Sequence, residues 1–378
     1  MRLWKRASGL FKDQNSLWQA NLSRRTALRN PDIEKAVIRA TTHYDLSFDT
    51  RNVDRVCEWL RLSPFNLKPI LWSVSNRMEK TRNWVVALKG LYLMHSIANS
   101  KIACVRRIGR LPFDLSNFND GHTHQAKTWP FNSFVRAYYA FLDQKSTVVF
   151  QTAAEEKSAG EGFSIRQELV LLQKLQSLID LLMQIRPQGR AAFVPLILHV
   201  VDGIIIEIYD LYSRICRGIA IVLMNIYSGG KAEATMALNV VQKATQQGED
   251  LTLYFEFCQE IGVVNASEFP VIDRIPDEGI QELEQIIKSF TDKSSVDGSE
   301  DNNEEEKAIV VREAEMNNNN NNQKQNLHND ELRTIITDNW EKFDEDFGSK
   351  NPFASPNLMI TYEQGSKNQE PPDLISFL

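Results

Sequence analysis

The strongest constraint on the fold is an apolar pattern with helical spacing that continues from residue 30 to about residue 290. Apolar residues recur every three or four positions, and the alternating patterns with two-residue turns that are typical of strands are scarce. Hydrophobic residues make up 42% of the chain, which is enough for a sizeable core. No strict sequence period is present. The pattern therefore predicts an all-α fold, a solenoid or superhelix of helices stacked in chain order.

The helical pattern divides into separate segments. They are one that opens at Pro31 and the ranges Val53–Leu60, Leu67–Met78, Trp84–Ile97, Phe134–Leu142, Ile165–Ile185, Ala192–Tyr227, Ala232–Ile261 and Gly279–Phe290. Trp72, Trp84, Leu88 and Leu91 lie on the apolar stripes, so we expect them in the core. The most apolar stretch, residues 191–209, contains charged residues and favours a buried helix over a membrane span.

The composition changes after residue 290. Residues 291–378 hold 19 Asp and Glu against 8 Lys and Arg, and they include six consecutive asparagines at 317–322. Apolar residues there are too sparse to offset the conformational entropy lost on folding, so we expect a disordered tail. Short apolar islands interrupt this tail, and such islands can act as peptide ligands for other domains.

The front of the chain is basic. Residues 1–150 hold 24 Lys and Arg against 11 Asp and Glu, a balance of +13. Such a surface suits nucleic acid or phospholipid headgroups. The segment Arg39-Ala40-Thr41-Thr42-His43 places a cation, two hydroxyls and an imidazole at the end of a predicted helix. These groups can bind phosphate, although an ordinary solvated helix end has the same composition.

Signs of catalysis are absent from the sequence. It has none of the common nucleotide-binding, hydrolase or metalloprotease motifs. His122 and His124 form a close pair, but no nearby Cys, Asp or Glu completes a metal site. The four cysteines lie more than 40 residues apart, a spacing typical of reduced thiols in a cytosolic protein. We therefore predict a protein that is not an enzyme and that carries no metal or cofactor.

Four motifs occur in the order found in one known family. They are Arg39–His43 (RATTH), Trp84–Leu91 (WVVALKGL), Phe113–Phe118 (FDLSNF) and Phe134–Leu142 (FVRAYYAFL). Together they resemble the ANTH domain of CALM-type clathrin assembly proteins over roughly residues 24–290. The acidic, Asn-rich tail is similar to that of the plant members.

The resemblance implies a right-handed stack of helices over residues 1–290. It would comprise a lipid-binding part at about 24–155 and a helical extension at about 156–290, followed by the tail at 291–378. The family binds phosphatidylinositol 4,5-bisphosphate on a basic surface, which carries over here to Arg39, His43 and Arg51. The family's second basic cluster falls on residues 48–52, where Asp49 reverses one charge and Asn52 replaces a histidine.

The resemblance also gives the tail islands partners. Asn351-Pro352-Phe353 is the core of a ligand for EH domains, and Trp340 with Phe343 resembles a ligand for adaptor appendages. The final residues resemble a clathrin-box peptide for the clathrin heavy chain, through Leu374, Ile375, Phe377 and Leu378. By the same resemblance, the late helices, about 231–290, would hold an R-SNARE. The protein would be cytoplasmic and peripheral on membranes, at clathrin-coated pits and vesicles and at the Golgi.

Two alternatives stay open. Residues 1–12 form a short basic amphipathic stretch, which could lie in a membrane interface or pack on the solenoid as its first helix. The basic half also suits a nucleic-acid-binding helical repeat protein. No known nucleic-acid-binding motif occurs in the sequence, so we expect no nucleic acid partner.

Overall fold

The computed structural model describes residues 2–121, 125–158, 164–267, 281 and 283–288. The helices longer than one turn in this part of the chain are α1 (Arg2–Leu22), α2 (Pro31–Ala40), α3 (Thr50–Leu62), α4 (Leu67–Lys80), α5 (Trp84–Asn99), α6 (Gln125–Ser158), α7 (Ile165–Met183), α8 (Pro195–Met224) and α9 (Lys231–Glu260). Residues 283–288 are also helical. Short 3₁₀ turns occur at Pro64–Asn66, Val105–Arg107, Gly189–Phe193, Ile226–Ser228 and Val264–Ser267.

Helices pack mainly on their neighbours in the chain. α1 packs on α2, and α2 packs on α3 and α4; α5 packs on α6, α6 on α7, and α7 on both α8 and α9. No strand occurs among the residues that the structure describes. The predicted all-α class and the stacking in chain order are therefore confirmed.

Local signals at the helix starts explain the boundaries. The side chain of Asn30 accepts from the Asp32 amide at the start of α2, where Pro31 needs no hydrogen bond. Asn83 accepts from the amides of Val85 and Val86 at the start of α5. These caps satisfy amides that have no partner inside the helix.

Two helices are longer than their patterns indicated. α6 extends far beyond the predicted Phe134–Leu142. The pattern missed this length because the polar stretch that follows contains Lys145, which is buried and pairs with the distant Glu207 carboxylate. α1 continues past residue 12 to Leu22 and turns Asp13 and Ala20 toward the rest of the fold. A polar residue on a buried face hides the helical period from the sequence.

The four residues expected in the core differ in burial. Leu88 and Leu91 are fully buried, whereas the two tryptophans are only partly enclosed. Trp84 is half-buried and stacks on Phe131 with ring centroids 4.4 Å apart. Trp72 is half-buried beneath the guanidinium of Arg29, 5.1 Å from its ring centroid. Both indoles thus lie at the edge of the core.

A buried ionic cluster joins three helices. Glu207 of α8 accepts hydrogen bonds from Lys145 of α6 (2.7 Å) and Asn99 of α5 (3.1 Å), and it contacts His95 Nε2 of α5 at 3.2 Å. His95 Nδ1 lies 2.7 Å from the Tyr138 hydroxyl of α6. The cluster ties the later helices to the helices that precede them.

Several predictions concern features of the chain as a whole. All described residues belong to one compact unit, residues 1–306. The predicted tail and its ligand islands lie outside the described residues, as does the pair His122 and His124. Among the helices that the structure describes, none combines the length and the apolar character needed to span a bilayer. The four cysteines are unpaired.

Candidate anion-binding site

The predicted phosphate-binding residues lie around the loop between α2 and α3. Arg39 is exposed in the last turn of α2, and His43 lies in the loop itself. Arg51 is exposed in the first turn of α3, where it lines a shallow depression with Thr50, Asp54, Arg55 and Glu58. The lining of that depression comes from α3 alone, so Arg51 lies among side chains of both charges. Arg39 and His43 belong instead to the end of α2 and to the loop that follows it.

Thr41 has a structural role. It is fully buried at the end of α2, and its hydroxyl donates to the Val37 carbonyl at 2.6 Å. Arg77 of α4 donates to both the hydroxyl and the carbonyl oxygen of Thr41, at 3.3 and 3.0 Å. The first of the two predicted hydroxyls is therefore turned inward, where it fixes the start of the loop.

Asp13 of helix α1 contacts His43 through two hydrogen bonds. The Asp13 carboxylate accepts from the His43 amide at 2.8 Å and lies 2.7 Å from His43 Nδ1. Arg77 donates to the same carboxylate at 2.7 Å and to the Ser16 hydroxyl at 3.3 Å. Burial opposes ionisation of Asp13, but the hydrogen bonds and the charge of His43, with the bond from Arg77, outweigh it. The pKa of this carboxyl therefore lies below its usual value.

A buried lysine lies beneath the loop. Lys89 of α5 is 1% exposed and donates to the Thr42 hydroxyl at 3.2 Å. Burial lowers the pKa of Lys89 to about 8, against the opposing attraction of the Asp13, Asp49 and Asp45 carboxylates. The ammonium group has three donors, so it can serve further acceptors at the loop.

The far end of the loop is anchored twice. The Phe48 ring lies 4.1 Å from the Tyr92 ring of α5 and 5.1 Å from the His199 ring of α8, measured between centroids. The Asp49 side chain then caps α3 by accepting from the Asn52 amide at 3.1 Å and from the Asn52 side chain at 2.7 Å. Asp49 and Asn52, which replace basic residues of the second cluster in the resemblance, therefore form a helix cap.

Sequence reasoning missed three residues of this site: Asp13, Arg77 and Lys89. Lys89 could have been noticed in the sequence, because it is the only charged residue in the apolar helix pattern Trp84–Ile97. A lysine on such a pattern indicates either a helix edge or a buried cation with a purpose. Asp13 and Arg77 left no such signal, since each reads as an ordinary solvated charge until α1 and α4 are placed together.

The side chains that could bind a ligand differ in kind from a metal site. No group of three or more His, Cys, Asp or Glu side chains could hold an ion within the described part of the chain. The side chains of Arg39, Arg51 and Lys89 around the loop are cationic, and cations suit a phosphate or carboxylate anion.

Comparison with known proteins gives consistent matches. The model of the ANTH domain family matches residues 32–289. Three relatives from Arabidopsis thaliana are named as candidate clathrin assembly proteins. They are 46%, 42% and 40% identical to this chain, over 99%, 92% and 78% of its length and 94%, 89% and 84% of their own. The family match includes Arg39, His43, Arg77 and Lys89, whereas Asp13 precedes it.

Proposed function

The chain belongs to the ANTH domain family, and from that premise we propose that it is an adaptor of clathrin coats that binds phosphoinositide-containing membrane. Its helical part, residues 1–290, would contact the lipid, and its tail, residues 291–378, would recruit clathrin and coat partners. The names of its Arabidopsis relatives support the link to clathrin. Its action would be binding and assembly, without an enzymatic step.

The observation that carries the lipid proposal is that basic side chains lie at both ends of the loop between α2 and α3 and beneath it. Arg39 and His43 stand at its start, Arg51 follows its end, and Lys89 lies beneath it. A phosphoinositide headgroup offers several phosphates, which bind best to several cations at once. We place the headgroup at this loop, with Arg39 and Arg51 as surface contacts and Lys89 as a recessed one.

The tail would supply the coat partners. We propose that Phe353 anchors binding to EH domains, that Trp340 and Phe343 bind adaptor appendages, and that residues 374–378 bind the clathrin heavy chain. Single peptides of this kind bind weakly, but several on one polymerising coat raise the effective affinity. The site of action would be the cytoplasmic face of coated pits and vesicles and of the Golgi, and the late helices would hold an R-SNARE.

Helix α1 adds to the membrane-facing surface. The face that packs inward carries Asp13, Ser16 and Ala20, whereas Phe11 and Trp18 are 78% and 62% exposed. Exposed aromatics on a helix can lie at the headgroup level of a bilayer. The packed helix and the interfacial helix, which the sequence left as alternatives, are thus compatible: one face docks and the other faces outward.

The test is cosedimentation of the full chain with phosphatidylcholine vesicles with and without phosphatidylinositol 4,5-bisphosphate. Arg39→Glu combined with Arg51→Glu should abolish the phosphoinositide-dependent binding, because each basic residue near a membrane contributes about 1 kcal/mol. Arg61→Glu is the matched control, since Arg61 is exposed at the opposite end of α3. If the double variant binds like the parent, the lipid site lies elsewhere on the protein.

A nucleic-acid shift assay on the same variants addresses the alternative function. The basic half of the chain is the observation that favours it. Tight binding to duplex or single-stranded nucleic acid without phosphoinositide binding would favour that alternative over the adaptor.

A further inference from the structure

A second group of cations lies beyond the far end of α5, in residues 100–111, which we call the basic corner. This segment contains no Asp or Glu, and its four basic residues are all exposed: Lys101, Arg106, Arg107 and Arg110. Ala98, in the last turn of α5, lies about 13 Å along the helix axis from Lys89. The basic corner is therefore distinct from the cations at the loop between α2 and α3.

An apolar cleft lies beneath the basic corner, between α5 and α6. Its volume is about 40 Å³, which suits the end of one aliphatic side chain. Lys101 and Arg106 line the cleft and are exposed, so they stand at its mouth. Most of the remaining lining side chains are apolar: Met94, Ile102, Val105, Ile108, Leu142 and Val149.

The buried charge at this cleft already has its partners. Lys145 is among the lining residues, but its ammonium group donates to Glu207 at 2.7 Å and to Asn99 at 2.5 Å. The Asp143 carboxylate of α6 accepts from the Leu111 amide at 2.9 Å. The inner part of the cleft therefore offers apolar contact, and the charges that can meet a ligand are those at the mouth.

Arg106 has a partner that a ligand can displace. It donates to Glu156 of α6 at 2.5 Å, and the two side chains are 43% and 56% exposed. An ion pair this exposed contributes little to stability, because water solvates both charges almost as well. A carboxylate from another molecule can therefore take the place of Glu156 on Arg106.

Lys101 occupies a position that favours glycine. It follows Ser100, the cap of α5, and its φ is 57°, in the left-handed region. Helices commonly end with glycine at this position, since a Cβ atom is disfavoured there. No other non-glycine residue in the described part of the chain has a positive φ. The chain thus keeps a cation at the mouth of the cleft against the local backbone preference.

We propose that the basic corner and its cleft form a docking site for an acidic peptide segment of a partner protein. One aliphatic side chain of the peptide enters the cleft, and carboxylates on either side of it bind Lys101 and Arg106. Complementary charge favours the acidic residues, and the recess favours the apolar one. A membrane surface would contact the cations but would leave a recess between two helices unfilled. This site goes beyond the proposed lipid function and does not depend on it.

The first test is fluorescence anisotropy of labelled synthetic peptides with the full chain. One peptide has four glutamates on each side of a central leucine, the second has serine in place of the leucine, and the third has lysines in place of the glutamates. We expect a Kd below about 1 mM for the leucine peptide, binding about tenfold weaker for the serine peptide and none for the lysine peptide. Equal binding of the leucine and serine peptides, or no binding of the leucine peptide, overturns the proposal.

Variants separate the charges from the cleft. Lys101→Gln and Arg106→Gln should each weaken binding of the leucine peptide by up to about fivefold, and Glu156→Gln should strengthen it by a similar factor because it frees Arg106. Ala98→Leu fills the cleft without changing a charge, so the leucine and serine peptides should then bind equally. Arg61→Gln is the matched control, since Arg61 is exposed on α3 outside the basic corner and should leave the affinity unchanged. A leucine preference that survives Ala98→Leu places the peptide elsewhere and overturns the proposal.

Thermal unfolding of each variant shows whether it is folded. Lys101→Gly should raise the unfolding midpoint by about 1–2 °C, since glycine relieves the left-handed backbone, and it should weaken peptide binding as Lys101→Gln does. Unchanged peptide affinity in Lys101→Gly contradicts the role of Lys101. If Ala98→Leu does not fold, the comparison of the leucine and serine peptides on the wild type still decides whether the cleft is used.

The competing occupants are a membrane and a second copy of this chain. Lys101→Gln combined with Arg106→Gln should sediment with phosphatidylinositol 4,5-bisphosphate vesicles like the wild type at about 0.15 M salt, where distant charges are screened. If this double variant loses vesicle binding and the wild type does not bind the leucine peptide, the basic corner is a membrane contact and the proposal is wrong. Self-association that the double variant abolishes in sedimentation velocity, without peptide binding, assigns the cleft to a second copy and also overturns it. A wild type that binds the leucine peptide but no vesicles refutes the lipid function alone.

Discussion

Removing the charge of Glu207 should destabilise the protein more than any comparable surface change. This carboxylate is 6% exposed and is contacted by Lys145, Asn99 and His95 from two other helices. In Glu207→Gln the shape is nearly kept, but the buried Lys145 ammonium loses the negative charge beside it. The perturbation therefore isolates the charge from the packing.

The size of the effect follows from the burial of both partners. Breaking a buried ion pair by removing one partner costs about 3–5 kcal/mol, because the remaining charge stays buried without compensation. For a domain of this size we take about 2 °C per kcal/mol, so the midpoint of thermal unfolding should fall by about 6–10 °C. Lys145→Met should relieve part of this loss when it is added to Glu207→Gln, since the uncompensated cation is then gone.

Thermal and urea unfolding of the full chain, followed by circular dichroism at neutral pH, measure this loss. Glu156→Gln is the matched control, because Glu156 pairs with Arg106 while their side chains are 56% and 43% exposed. An exposed pair contributes about 0–1 kcal/mol. The reasoning is refuted if the two substitutions cost the same, or if Lys145→Met adds its full cost to that of Glu207→Gln.

Three further predictions concern other parts of the chain. Lys89→Met should raise the unfolding midpoint by about 2–4 °C, since it removes a buried charge. The same change should weaken sedimentation with phosphoinositide vesicles. A variant that loses both stability and vesicle binding would contradict a role for Lys89 in contacting the headgroup. The free energy of unfolding should fall as the pH drops from about 7 to about 5. Burial lowers the pKa of His95 below that of the unfolded chain, so the unfolded state takes up the proton first. Calorimetry across this range measures the fall, and a stability that does not change with pH contradicts the prediction. Phe353→Ala should abolish pull-down of an EH domain and spare clathrin, whereas deletion of residues 374–378 should do the reverse; equal effects on both would contradict independent ligands.

Much of the fold could be predicted from apolar periodicity alone. Seven helices, α2–α5 and α7–α9, lie where the pattern placed them, because most of their buried residues are apolar and the few buried polar ones, such as Lys89 and Glu207, do not break the spacing. The pattern failed along α6, where Lys145 occupies a buried position. Its partner Glu207 lies 62 residues away, so no local reading can show that the lysine is neutralised.

The candidate site was predictable only where its residues follow a contiguous motif. Arg39 and His43 belong to one pentad, but Asp13 lies 30 residues before His43 and Arg77 lies 64 residues after Asp13. A single aspartate on an amphipathic helix has the same sequence signature whether it faces water or an imidazole. The contacts of Asp13 with His43 and Arg77 therefore become visible only once α1, α4 and the loop are packed together.

Asp49 and Asn52 stand where the resemblance has basic residues, and this change both removes exposed cations and supports a buried one. Two cations of the family's second cluster are missing there, and the side chains present cap α3 instead. The Asp49 charge also raises the pKa of Lys89, so the capping carboxylate helps to keep the buried ammonium charged at neutral pH. In the proposed site, the recessed Lys89 thus adds to the attraction that the exposed Arg39 and Arg51 provide. Since salt screens buried charges less than exposed ones, the contribution of Lys89 should depend less on ionic strength than that of the two arginines.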